Sequence, residues 1–172
     1  MDLAQQIKAE IIKDVRLRIY DECIPRIKQC IGELSDEQLW LKPNKNSNSI
    51  GNLVLHVCGN IRQYVMSGIG GHADTRERSL EFSKEGPIPK ESLYALMDKL
   101  LSDIDIVLEN ISPEDLTVVK KVQGFDMTVT SILIHITEHL SYHTGQIAYA
   151  TKLTKNIDLR FYGDMDLDVR SD

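Results

Sequence analysis

The sequence predicts an all-α protein, a four-helix bundle with a short irregular or hairpin crossover ahead of its last helix. Three observations predict it. Four segments carry apolar residues at helical period with charged residues on the opposite face. Stretches rich in Gly, Pro and Asn separate them. The strand-like residues gather in one short run before the fourth segment.

The first helix is expected over about residues 3 to 32, where Ile7, Ile11, Val15, Ile19 and Ile24 form the stripe and Gly32 is the stop. A loop from Trp40 to Ser49, rich in turn and N-cap residues, launches the second helix. That helix runs from about Ser49 to Ser67 on the stripe Ile50, Leu53, Val54, Val57, Ile61 and Val65, and Gly68, Gly70 and Gly71 end it. Residues 72 to 89 are polar and densely charged from Asp74 to Glu81; they are expected to be an ordered loop anchored by Leu80 and Phe82. Pro87 and Pro89 precede the third helix, about Lys90 to Asn110, with Leu93, Leu96, Met97, Leu100, Leu101, Ile104 and Leu108 on one face. Ser112-Pro113-Glu114-Asp115 reads as a capped turn with Pro at the first helical position. Residues 116 to 129 read as a short hairpin around Gly124, and the fourth helix follows over about Thr130 to Thr154. Residues 1–155 then form one bundle domain, and residues 156–172 an acidic tail packed on it or extending from it.

The net charge of −6 disfavours nucleic acid and anionic membrane as partners, because no basic patch is available to displace counterions. The three cysteines, Cys23, Cys30 and Cys58, form no close pairing motif. Cys23 and Cys30 fall on one helix about 10 Å apart along its axis, too far to bridge. Residues 1–8 lack a signal-peptide apolar core, and no run reaches membrane-spanning length. A reducing cytoplasm is the expected compartment.

The chemistry concentrates in the fourth helix. His135, His139 and His143 stand at spacings of four and four, so adjacent members differ by about 40° around the axis. Two imidazoles so spaced can share a metal ion. On the helical wheel, Ile132, Leu133, Ile136, Leu140 and Ile147 form the apolar stripe. His143 falls inside it, His139 on its near edge, and His135 one step further out. Burying an imidazole without a partner costs about 1–3 kcal/mol, and a shared metal satisfies two at once. The bland alternative for each is a hydrogen-bonded core histidine. A three-ligand site needs a second helix, and His56 is the other helical histidine; the wheel does not put it at the centre of its stripe, so its inward direction is a hypothesis. Glu138 lies on the more polar side, where a solvated helix residue is the ordinary reading. Tyr142 and Gln146 share a flank with His135, where they either line a pocket or pack an interface. Gly145 inside a helix costs about 1 kcal/mol relative to Ala, which suggests close approach of another helix or a partner chain.

Two blocks carry a family resemblance. One runs from Trp40-Leu41-Lys42-Pro43-Asn44 through Asn48 to Tyr64, taking in His56, Gly59, Asn60 and Arg62, and continues into Arg76, Arg78, Glu81 and Phe82. The other is His135-x-x-Glu138-His139-x-x-Tyr142-His143-x-Gly145-Gln146-Ile147. With these the chain resembles the DinB/YfiT-like superfamily of bacterial four-helix-bundle proteins. The resemblance implies a divalent-metal site, zinc or nickel, held by His56, His139 and His143. It implies a homodimer acting on a small-molecule substrate. It also implies a low-molecular-weight thiol as co-substrate, since some relatives are thiol-dependent transferases or isomerases and others are described as metal-dependent hydrolases.

Three functions compete. In the first, the metal activates a thiolate from solution for S-transfer to a small electrophile, with Arg62, Arg76 and Arg78 as binders of the thiol's carboxylates. Salt bridges to Glu77 or Glu81 are the plain alternative for those arginines. Arg62, Tyr142 and Gln146 are the cofactor-binding candidates. In the second, the metal activates water for hydrolysis, with His135 or Glu138 as the catalytic base. In the third, the site is structural, in a non-enzymatic stress-related dimer.

Overall fold

The N-terminal arm is one helical run with a widened middle. In this computed structural model the described residues are 2–170; residues 1, 171 and 172, which the expected bundle and tail boundaries take in, lie outside the described residues. α1 (Leu3–Arg16) starts on Asp2, whose carboxylate accepts the Gln5 N–H at 2.8 Å. A π-helical stretch, Leu17–Cys23, follows, and α2 (Ile24–Gly32) completes the arm. The Ile24 N–H donates to the Ile19 carbonyl five residues back, the bonding of a π turn. The sequence already carries its mark, because the apolar stripe steps by four residues up to Ile19 and then by five to Ile24. Pro25, the second residue of α2, has a ring that crowds the carbonyl four residues behind it, that of Asp21 inside the widened stretch. Ile7 is 48% exposed, so the buried stripe starts at Ile12 and Val15 rather than at Ile7.

Between the first two arms lies a helix that the sequence reading omitted, α3 (Asp36–Trp40). Its signal was present as a capping box: Ser35 accepts the Gln38 N–H at 3.3 Å, and Gln38 accepts the Ser35 N–H at 3.0 Å. The same device opens α4 (Ile50–Ile61), where Ser49 and Asn52 cap each other's N–H groups at 3.1 and 3.2 Å. A second π-helical stretch, Arg62–Ile69, extends α4, and the Gly70 N–H closes it on the Val65 carbonyl at 2.9 Å.

The loop expected over residues 72 to 89 contains α5 (Arg78–Ser83). Phe82 is half-buried and serves as an anchor; Leu80 is 56% exposed and does not. The inward residue of this segment is instead Glu81. Asn52 fixes the segment by donating to the carbonyls of Glu81 and Lys84, at 2.9 Å each. Trp40 braces it from outside, donating to the Ile88 carbonyl at 3.1 Å. The Trp40 ring sits so close to the backbone at Gly51 and Gly86 that a Cβ would overlap it at either position.

α6 (Lys90–Asn110) matches the expected third helix. The capped turn closes as a 3₁₀ segment, Glu114–Thr117, with Ser112 accepting the Asp115 N–H at 3.3 Å. The hairpin forms as β1 (Val119–Val122) paired antiparallel with β2 (Phe125–Thr128), register Val119 to Thr128 and Val122 to Phe125. Its two turn residues, Gln123 and Gly124, both take positive φ (51° and 84°), as a tight hairpin turn requires. α7 (Val129–Lys155) is capped by Thr128 and ends on Asn156 in the left-handed region. The tail returns onto the bundle: Leu159 is buried, its carbonyl accepts Gln29 Nε2 at 2.7 Å, and Arg26 lies over the rings of Phe161 and Tyr162.

The result is an all-α bundle of four long arms, with α7 packed on α4, α2 and both π-helical stretches, and α6 on α4 and its extension. Ile19, Ile27, Ile61, Met97, Ile104, Ile136 and Ile147 meet at its centre without exposed surface. Among the described residues, no helix is long and apolar enough to cross a membrane.

Candidate metal centre

The apolar stripe of α4 and the facing edge of α7 set three imidazoles against one another. His56 comes from α4, with 5% of its surface exposed, and His139 and His143 come from α7. His56 Nε2 stands 3.1 Å from His139 Nε2. One ring nitrogen from each of the three lies within 4.8 Å of the others. The wheel left the direction of His56 open; in the structure it points inward.

Burial pushes His139 far below the ordinary imidazole range, to about 3, and the neighbouring His143, His56 and His135 rings and Arg76 add to the effect. His143 is lowered too, by burial first, against the hydrogen bond that its Nδ1 donates to Gln146. His139 and His143 are therefore neutral at pH 7, the form that offers a lone pair to a metal. Two nitrogens sharing a tetrahedral metal at about 2.0–2.1 Å stand about 3.3 Å apart, close to the separation of His56 and His139. His139 Nδ1 is buried with no hydrogen-bond partner among the described residues. The donor set fits one divalent ion held by three imidazoles.

Around the cluster lie charged groups of the segment between α4 and α6. Glu81 accepts from His56 Nδ1 through Oε2 at 2.9 Å. Arg76 donates to the same carboxylate twice, from Nε to Oε1 at 2.7 Å and from Nη2 to Oε2 at 2.9 Å. Burial acts to raise the Glu81 carboxyl, but the hydrogen bonds from Arg76 and His56 outweigh it and hold the group below its ordinary value. Arg76 Nη1 reaches Gln63 Oε1 at 2.8 Å, and Gln63 in turn donates to Asp74 at 2.7 Å. Phe82 covers the His56 ring at a centroid distance of 4.7 Å. Of the two expectations for Arg76, a binder of thiol carboxylates or a salt bridge to Glu77 or Glu81, the structure shows the salt bridge to Glu81, buried rather than at the surface.

Of the remaining candidates, His135, Gln146 and Tyr142 stand beside the cluster, and Glu138 and Arg62 line other cavities. His135 stacks between Tyr64 (4.3 Å) and His139 (5.4 Å), with Asn60 Nδ2 at 3.5 Å from its Nε2. Gln146 Oε1 accepts from His143 Nδ1 at 2.8 Å. Tyr142 is 64% exposed, with its ring edge-on to His143 at 5.0 Å. Glu138 is exposed and lines a different cavity, with Arg18 and Glu22 of the N-terminal arm. Arg62 is paired with Asp103 of α6 at 2.6 Å and lines a cavity of about 580 Å³ beside Arg76 and Glu81; no histidine of the cluster lines it. Arg78 lies over the Phe82 ring. Gly145 has open space where its Cβ would be, so no helix among the described residues makes the close approach expected there.

Over residues 6–162 the chain matches the model of a family described as "Protein of unknown function (DUF1572)". Among solved structures it is similar to a DinB-like protein from Bacillus cereus ATCC 10987, with a TM-score of 0.62 and 19% identity, over 80% of this chain and 89% of that chain. At that identity the likeness establishes the fold, the DinB-like helical bundle that the histidine blocks implied. No curated protein matches the chain.

Proposed function

The chain belongs to the DUF1572 family, and from that premise we propose that it is a metal-dependent enzyme that transfers a low-molecular-weight thiol to a small electrophile. The observation that carries the metal reading is the convergence of His56, His139 and His143 within 4.8 Å. Zinc or nickel suits three imidazoles. A divalent ion there supplies Lewis acidity, which lowers the pKa of a thiol or water bound at its open position.

The chain's own residues favour a thiol from solution. Cys23, Cys30 and Cys58 are all buried, and burial raises each thiol, Cys58 to about 12. None of them is a nucleophile at neutral pH. Hydrolysis is the second reading, and it requires a base beside the metal. Both oxygens of Glu81 are committed to Arg76 and His56, while Glu138 faces the other cavity. His135 is the base left to that reading, and it is stacked between two rings.

The test has two arms. Elemental analysis of the purified protein is expected to find one zinc or nickel per chain, and His143→Ala to lose it; equal stoichiometry in the variant refutes the ligand set. The metal-loaded protein is then assayed on a small electrophile with and without added thiol. Turnover that requires the thiol supports transfer. Thiol-independent hydrolysis replaces it with the second reading, and a closed shell of four protein ligands removes both.

A further inference from the structure

We propose that Arg76 and Glu81 are positioning residues for the metal centre: together they hold His56 with its hydrogen on Nδ1 and so aim the Nε2 lone pair at the ion. The proposal rests on the metal reading above and adds the device that prepares one ligand before the ion arrives.

The tautomer follows from what each atom can give. An ionised carboxylate only accepts hydrogen bonds. Glu81 Oε2 lies 2.9 Å from His56 Nδ1, a distance that two lone pairs do not share, so Nδ1 carries the hydrogen. Arg76 Nη2 is also near Nδ1, at 3.2 Å, and by itself would favour the opposite tautomer. The carboxylate is closer, and Nη2 is already engaged with Oε2 at 2.9 Å. With the hydrogen on Nδ1, Nε2 is the nitrogen left to offer a lone pair, and it faces His139 at 3.1 Å. A histidine ligand backed by a carboxylate is more basic and fixed in orientation, and loss of such a partner weakens metal binding about 10–100-fold.

The carboxylate is itself held at both oxygens. Arg76 grips both oxygens, and Gln63 and Asp74 hold Arg76 in place. Asn52 pins the Glu81 backbone carbonyl to the start of α4. Gly59, one turn beyond His56 on α4, makes room for it: a Cβ there would stand 2.1 Å from Glu81 Oε1 and 3.2 Å from Arg76 Nε. Arg76 and Glu81 keep only 5% and 10% of their side-chain surface exposed. Taking a charged pair out of water is expensive, and apolar packing often replaces such a pair without loss. A strap that only had to be fastened to the bundle would not need it. A pair aimed at a ligand does.

The experiment uses the full chain with zinc as the probe. Zinc affinity is measured by competition with a chromophoric chelator for the wild type, Glu81→Gln and Gly59→Ala. Gly59→Ala displaces the carboxylate without removing a charge, so it covers the case in which Glu81→Gln does not fold. Long-range ¹H–¹⁵N correlation on the zinc-free proteins reads the tautomer of His56. The expected result is an Nδ1–H form in the wild type, a mixed or Nε2–H form in the variants, and zinc affinity about 10–100-fold weaker in them. Circular dichroism establishes that each variant is folded. A folded variant with the wild-type tautomer and affinity within twofold overturns the proposal and leaves the ion pair as a fastening of the strap. Failure of the wild type to bind zinc refutes the metal reading instead, and the tautomer comparison still decides whether Glu81 sets His56.

Discussion

At the scale of single residues, solvent access decides what each reactive group can do. Cys58 is 3% exposed, and desolvation, with the nearby Glu81 charge adding to it, raises its thiol to about 12. A raised thiol pKa means the protonated, unreactive form at pH 8. Cys23 and Cys30 are raised by burial as well, against the opposing effect of the neighbouring Thr144 and Thr151 hydroxyls. Iodoacetamide at pH 8 is therefore expected to label none of the three in the folded protein and all three in guanidinium. Mass spectrometry checks this, and rapid native labelling of any one would return a protein thiol to the list of nucleophiles. The histidines show how far single residues could be read in advance. His143 and His139 were legible because a four-residue step along one helix fixes their relative direction. Glu81 and Arg76 were visible as charges in a dense cluster, but nothing local distinguishes an ion pair at the surface from one aimed at an imidazole.

At the scale of elements, caps and turns position the site as much as the helices do. Asn52 takes part in both, closing the cap of α4 and holding the carbonyls of Glu81 and Lys84. Asn52→Ala would leave two carbonyls with a lost donor and free the strap that carries Glu81. It is expected to destabilise the fold by about 1–3 kcal/mol and to weaken zinc binding in the same direction as Glu81→Gln. Urea denaturation and chelator competition measure the two effects; a stability loss with unchanged affinity would mean that Arg76 alone keeps Glu81 in place. Most boundaries of the long helices were legible, including α6 to the residue, because Pro87 and Pro89 immediately precede its start and its periodicity is long. The π-helical stretches and α3 were not read, although the five-residue step to Ile24 and the Ser35–Gln38 box were both present. Leu80 failed as an anchor because α5 turns Glu81 inward, and neighbouring residues on a helical turn point about 100° apart.

At the scale of the whole molecule, ligation would join two arms of the bundle, since His56 comes from one and His139 and His143 from another. An ion that binds the folded chain and not the unfolded one stabilises it by about 2.7 kcal/mol at a concentration 100 times Kd. Calorimetry is expected to show Tm rising with zinc and falling back when a chelator removes it, with no rise in His143→Ala. Equal Tm with and without zinc in the wild type would mean that the ion does not tie the arms. The sequence by itself determined the four long helical arms, their apolar faces, the hairpin and the paired histidines of α7, all of which follow from periodicity and capping within one stretch of chain. Only the tertiary structure decided that His56 points inward, that Arg76 and Glu81 meet it, that Arg62 goes to Asp103, and that Glu138 turns to another cavity. The physical reason is rotational. Periodicity defines a face on each helix, but packing and the two π-helical stretches set how far each face is turned, and a residue beside the stripe can end on either side of it.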